Sequence, residues 1–137
     1  MVDSIKKIGY FAMDVADKPG EAVRVLQALS EAGLNLLAFS GFPRGRRAQL
    51  DFVPEDVALF RKALTRAKLK VRPKKTGFLV QGKDRRGAVA EVLQKLAQAA
   101  INVTAVDAVS AGGGRYGAIL WVKPKDVNKA AKALKAV

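Results

Sequence analysis

Residues 17–40 of this chain recur, diverged, at residues 84–107, an offset of 67. Nine of the 24 aligned positions are identical, among them Asp17/Asp84, Gly20/Gly87, Val25/Val92, Leu29/Leu96 and Asn35/Asn102. After a slip of three residues the match resumes at offset 70. There PEDVALFRKAL from Pro54 meets PKDVNKAAKAL from Pro124, with six of 11 positions identical. A repeat of this size is one small supersecondary unit, so the 137 residues must fold as two copies of it. Each copy is near the lower size limit for an independent core and needs something to pack on.

The order of elements within a copy follows from local signals. Residues 8–15 (IGYFAMDV) are apolar and rich in strand formers. Asp17-Lys18-Pro19-Gly20 is a turn that launches a helix, with Pro suited to the first helical position and Asp placed to accept from free N–H groups. Ala22, Val25, Leu26, Leu29 and Ala32 then mark one helical face. Gly33 is expected to end that helix in a left-handed conformation. Leu34–Phe42 and Arg47–Val53 read as strands around a turn at 43–46. Pro54 opens a second helix, with Val57, Phe60, Leu64 and Ala67 on one face, and Leu69–Arg72 is a short fourth strand.

The second copy repeats this with a strand at Phe78–Gly82, a helix from Gly87 to Ala100, strands at Asn102–Ser110 and Arg115–Val122, and a helix at Lys125–Lys135. It has no room for a fourth strand. The expected fold class is α+β: two ferredoxin-like βαββαβ units, each an antiparallel sheet with its helices on one face. The expected domains are 1–73 and 74–137. Residues 2–6, extended and otherwise unused, are candidates to complete the second sheet, within the chain or across a dimer.

D-x-P-G, an amphipathic helix, and A-G-x-N entering a strand form the strongest local pattern. It is carried by Asp17-Lys18-Pro19-Gly20 and Ala32-Gly33-Leu34-Asn35, and again by Asp84-Arg85-Arg86-Gly87 and Ala99-Ala100-Ile101-Asn102. On these residues the chain resembles the ACT-domain family, in particular its stand-alone proteins of two tandem units. The resemblance implies regulation by a small molecule, an amino acid in kind, bound where two units meet. The ligand would lie against the loop before the first helix and the start of the second strand. It marks Asp17, Lys18, Pro19, Gly20, Asn35 and Leu36 as ligand-binding in the first copy, and Asp84, Gly87 and Asn102 in the second. The second copy departs from the pattern, with Arg86 in place of Pro and Ala100 in place of Gly. Physical chemistry is compatible with that placement. Free N–H groups at a helix start attract a carboxylate, glycine permits close approach, and an Asn side chain offers both donor and acceptor. The plainer alternative is that Asp17 and Asn35 only turn the chain.

The chain has no histidine and no cysteine, which removes the commonest general base, the thiol nucleophile and thiolate metal sites. The Ser and Thr residues have no evident base beside them, so no catalytic residue, metal site or cofactor is expected. No apolar run approaches a membrane span and the start has no signal-peptide character, so a cytoplasmic protein is expected. A homo-oligomer is expected because a small β-rich unit leaves edges to cover.

The formal charge of +13 is uneven, with 14 of the 25 Lys/Arg but only four of the 12 Asp/Glu after residue 68. That asymmetry keeps open an RNA-binding reading, and the run Arg61–Lys75 is its best polyanion surface. GRYGAILW at Gly114–Trp121 partly matches an RNA-recognition signature, yet has Ala118 where a stacking aromatic belongs. GGGRYG at Gly112–Gly117 fits a dinucleotide string but leads into a strand, which fails the structural requirement. A ligand-free interaction subunit is the remaining alternative.

Overall fold

A computed structural model describes residues 3–137. The elements run β1 (Ser4–Ala16), α1 (Glu21–Glu31), β2 (Leu36–Arg44), β3 (Arg47–Pro54), α2 (Val57–Ala67), β4 (Lys75–Lys83), α3 (Ala88–Gln98), β5 (Val103–Gly112), β6 (Arg115–Val122) and α4 (Val127–Leu134), with a 3-10 turn at Pro124–Asp126. Two units result. One is Gly9–Lys75; the other joins Thr76–Val137 to the residues up to Ile8.

In the unit Gly9–Lys75 the sheet order is β2-β3-β1, all antiparallel. Alternate residues of a strand share a face, and the register brings the apolar ones together: Phe11 faces Phe52 and Met13 faces Leu50. These pack with Val25 and Leu29 of α1 and Phe60, Ala63 and Leu64 of α2 in one core. Leu69–Arg72, expected as a fourth strand, is irregular, though the Arg72 amide donates to the Ala12 carbonyl at 2.9 Å. The helix expected from Pro54 begins at Val57, because Pro54 closes β3 and the Asp56 side chain accepts the Leu59 amide at 3.0 Å.

In the other unit the order is β1-β4-β6-β5, with only the residues of β1 up to Ile8 taking part. They run antiparallel to β4, Asp3 against Gly82 and Ile8 against Gly77. Val137 bonds this segment through Ile5 O (3.1 Å) and Lys7 N (3.0 Å). Ile5 is buried with Phe78, Val80, Val92, Leu96, Leu120, Ala130 and Leu134. Of the segment 2–6, Val2 lies outside the described residues. The Gly112–Gly114 string is a hairpin tip of three positive-φ glycines between β5 and β6.

The helix ends show how the copies differ. Gly33 has φ +81, and the Leu34 amide reaches back to Leu29 O at 3.1 Å. In the second copy Ile101 reaches Leu96 O at 2.9 Å, but the left-handed residue is Ala100, φ 58. A Cβ there costs about 1–2 kcal/mol, against the roughly 0.5–1 kcal/mol of backbone entropy that glycine brings. Ala100→Gly is therefore expected to stabilise by about 0.5–1 kcal/mol. The measurement is a rise in urea midpoint at unchanged slope; a fall would contradict it.

Candidate functional site

Both turns that carry the sequence motif end on a left-handed glycine. Gly20 (φ 90) precedes α1 and Gly87 (φ 76) precedes α3, and neither helix has a side-chain cap. Asp17 and Pro19 therefore do not play their expected parts as cap and first helical residue. The turn closes through its backbone, with Lys18 N donating to Ala16 O (3.0 Å) and Arg24 N to Gly20 O (3.0 Å). Asp17, Lys18, Pro19 and Gly20 are all exposed. At the second turn the backbone bonds are Ala88 N to Arg85 O (3.3 Å) and Glu91 N to Gly87 O (3.0 Å). That leaves the first-turn amides of Val89 and Ala90 without a backbone acceptor among the described residues.

Asn35 and Asn102 sit at the other ends of these helices. An 11-residue helix separates Gly20 from Asn35, and another separates Gly87 from Asn102; each spans roughly 16 Å. Within its unit, each Asn is thus remote from its turn. Asn35 is also engaged: its Nδ2 donates to Glu55 Oε2 at 3.2 Å, and its carbonyl accepts the Glu55 amide at 3.0 Å. Leu36 is half-buried against the core of its unit, and Asn102 is exposed.

The second turn is organised by residues that no local pattern reveals. Arg85 Nη1 bonds Asp3 Oδ1 at 3.1 Å and the Lys83 carbonyl at 2.9 Å, while Nη2 bonds Glu91 Oε2 at 2.6 Å. One guanidinium thus ties the end of β4 and the first turn of α3 to the N-terminal strand. With these pairs made, the Arg85 guanidinium is committed within its own unit. Arg86 is exposed and forms no ion pair among the described residues. Asp84 accepts from Ser110 Oγ at 2.7 Å, and its amide donates to Gly114 O at 2.9 Å.

The Asp3 side chain is only 8% exposed. Burial acts to raise its carboxyl, but the contacts with Arg85 and Tyr116 outweigh burial and hold it below the usual carboxylate range. A depressed folded value means that Asp3 contributes its stability fully above the unfolded value and loses it as pH falls through the folded one. Burial first, and then the Asp3 carboxylate, push the Tyr116 hydroxyl up to about 12.

A cavity of about 270 Å³ opens at this turn, lined by Asp84, Arg85, Gly87–Ala90, Ala108–Ser110 and Tyr116. The hairpin register explains its β side: Ala108 lies opposite Ala118 and Ser110 opposite Tyr116, on the face that carries the helices. Its mouth therefore has a carboxylate at Asp84, a hydroxyl at Ser110 and two unbonded helix-start amides. Ala88, Val89 and Ala108 supply apolar wall. Ser110 and Tyr116 follow from the hairpin pairing once β5 and β6 are aligned; Asp3, 82 residues from Arg85, has no such signal.

The aromatics of GRYGAILW are no stacking platform. Tyr116 lies in the core under the helices and Trp121 is also buried. In the basic run, Arg72 pairs with Asp14 at 2.5 Å and Arg61 lies 5.2 Å over the Phe11 ring. Among the described residues no cluster of acids could hold a metal ion, and no helix is long and apolar enough to cross a membrane.

No family model and no curated protein matches the sequence. Solved structures do. Protein BT0572 from Bacteroides thetaiotaomicron superposes with a TM-score of 0.77 at 18% identity, over 97% of this chain and 88% of its own. The ligand-free regulatory subunit of aspartate kinase from Thermus thermophilus gives 0.65 at 19%, over 98% and 95%. The aspartokinase alpha and beta subunit structure gives 0.62 at 18%, again over 98% and 95%. In fold, the chain is a tandem of two ACT-like βαββαβ units of the kind seen in aspartate kinase regulatory subunits.

Proposed function

We propose that the protein is a non-catalytic regulatory module of the cytoplasm that binds a small amino acid. The observation that carries this reading is the cavity at the second turn. A zwitterion fits its chemistry. The Val89 and Ala90 amides suit a carboxylate, Asp84 with Ser110 suits an ammonium group, and the Ala and Val wall suits a short aliphatic side chain. The ligand-binding residues proposed are Asp84 and Gly87 here, with Asp17, Lys18, Pro19 and Gly20 as the first copy's counterpart. Leu36, which starts β2, and Asn35 and Asn102, which stand just before β2 and β5, belong to the proposal at those strand entries. The domain division 1–73 and 74–137, with residues 2–6 serving the second copy, is likewise proposed; the course of Ser4–Ile8 beside β4 supports it.

Self-association is part of the proposal. β2 and β5 are the outer strands of their units and expose Phe39, Phe42, Val106 and Val109, with Asp107 the sole charge on β5. Long edges of this kind tend to be covered. A scattering mass of one chain would remove this element.

Thermal-shift and calorimetric titration of the full chain with the L-amino acids test the reading. At least one aliphatic amino acid is expected to raise the midpoint, because a ligand of the folded state stabilises by mass action. Asp84→Asn is expected to weaken its binding about tenfold or more, the loss of one charge-assisted hydrogen bond. Stabilisation by none of the amino acids would overturn the proposal.

A further inference from the structure

The candidate cavity and the N-terminal strand share their supporting residues. Arg85 belongs to the lining of the cavity, yet its guanidinium faces Asp3 with both nitrogens, at 3.1 and 3.4 Å. Tyr116 forms a second piece of the lining, and its buried hydroxyl lies beside the same carboxylate. The seat of Asp3 is shaped for it. A Cβ on Gly82 would collide with the Asp3 carboxylate and come within 3.1 Å of the Tyr116 ring. Behind Asp3 the strand is anchored by Ile5, 5% exposed in the core, and by the two backbone bonds to Val137.

We infer that residues 3–8 are a latch on the binding turn, so that docking of this strand and occupancy of the Asp84–Ala90 cavity favour each other. The inference rests on the ligand reading above and adds its regulation. With Asp3 seated, Arg85 holds the end of β4 and the first turn of α3 at fixed separation, and Tyr116 is held as wall. When the Asp3 end of the strand frays from its seat, with Ile5 still in the core, Arg85 keeps only Glu91 and the Lys83 carbonyl, and Tyr116 loses its neighbour. A ligand that needs the formed cavity therefore binds the docked state better. By linkage the ligand must then hold the strand in place to the same degree. β1 runs on from Ile8 into Gly9 of the other unit, so a change in docking is felt along a strand that both units use.

The test uses the full chain, its Asp3→Asn and Gly82→Ala variants, and L-valine and L-alanine as probes. Asp3→Asn keeps the shape and removes the charge, whereas Gly82→Ala keeps the charge and fills its seat. Both are expected to raise hydrogen exchange at the Lys7, Val137 and Glu91 amides and to weaken probe binding about tenfold. Saturating probe is expected to slow exchange at Lys7 and Val137 in the wild-type chain. Equal probe affinity in wild type and both variants, with the strand demonstrably loosened, overturns the coupling. If neither probe nor any other amino acid binds the wild-type chain, the ligand reading fails. The latch is then decided by the turn alone, and unchanged Glu91 exchange in Asp3→Asn overturns it as well.

Discussion

A chain that begins at Gly9 is expected to lose the folded unit formed by Thr76–Val137 while its Gly9–Lys75 core stays packed. The removed segment supplies Ile5, whose burial alone is worth about 2–5 kcal/mol by the cost of truncating such a side chain to alanine. It also supplies Asp3, leaving Arg85 without a charge-assisted partner, about 1.5–3 kcal/mol more. β4 would in addition become an uncovered edge. The sum is comparable with the whole stability of a small domain, about 5–15 kcal/mol. Residue-resolved hydrogen exchange checks it: protection should vanish at Phe78, Leu96 and Leu120 and persist at Phe52 and Phe60. Full protection of β4 and β6 in the truncated chain would contradict the assignment of the N-terminal strand.

The second large effect is expected at Phe60. This ring is wholly buried, 4.8 Å from Phe11 and 5.7 Å from Phe52. Phe60→Ala should cost about 3–5 kcal/mol for the cavity. Each of the two ring pairs that it breaks adds roughly 0.5–1.5 kcal/mol beyond area burial. The Gly9–Lys75 unit would then be close to unfolded at room temperature, seen as an absent or greatly lowered denaturation midpoint for that unit. The repeat gives an internal comparison. Phe60 aligns with Ala130, also wholly buried, so the two cores are filled by different shapes at one position. Ala130→Phe is expected to destabilise the other unit by overpacking, about 1–3 kcal/mol, instead of copying the first core. Tolerance of both substitutions would mean that the cores are not close-packed at these sites.

These positions also show what the sequence could disclose. The helix stripes were legible because burial repeats with the helix: Val25 and Leu29, like their equivalents Val92 and Leu96, are all in the cores. The strands were legible as apolar, strand-forming runs, and with them the βαββαβ order, apart from Leu69–Arg72, which is irregular. The two turns were legible as places but not in detail. A left-handed glycine starts α1 and α3 through backbone geometry, so the side chains of Asp17 and Pro19 have no capping work to do. Ala100 hides the second helix stop, because nothing in an alanine announces a positive φ.

The candidate site was legible only in part. Asp84 and Gly87 were in the motif and line the cavity, whereas Asn35 and Asn102 lie a helix length away from their turns. Arg85 was visible as a charge but not as a committed one. Its partner Asp3 is distant in sequence, and pairing at that range is decided by which strand the N-terminus joins, a tertiary matter that no local pattern encodes.

The split composition of the second unit also sets an order of assembly. During synthesis Ser4–Ile8 leaves the ribosome well before β4, since the whole of Gly9–Lys75 is translated between them. Domains fold as units while the chain emerges, so Gly9–Lys75 has its own strands and helices in hand first. The strand ahead of it has no hydrogen-bonding partner of its unit until Thr76 and the residues after it appear. For that interval a nascent chain carries Ser4–Ile8 as an unsatisfied edge, open to pairing with another strand.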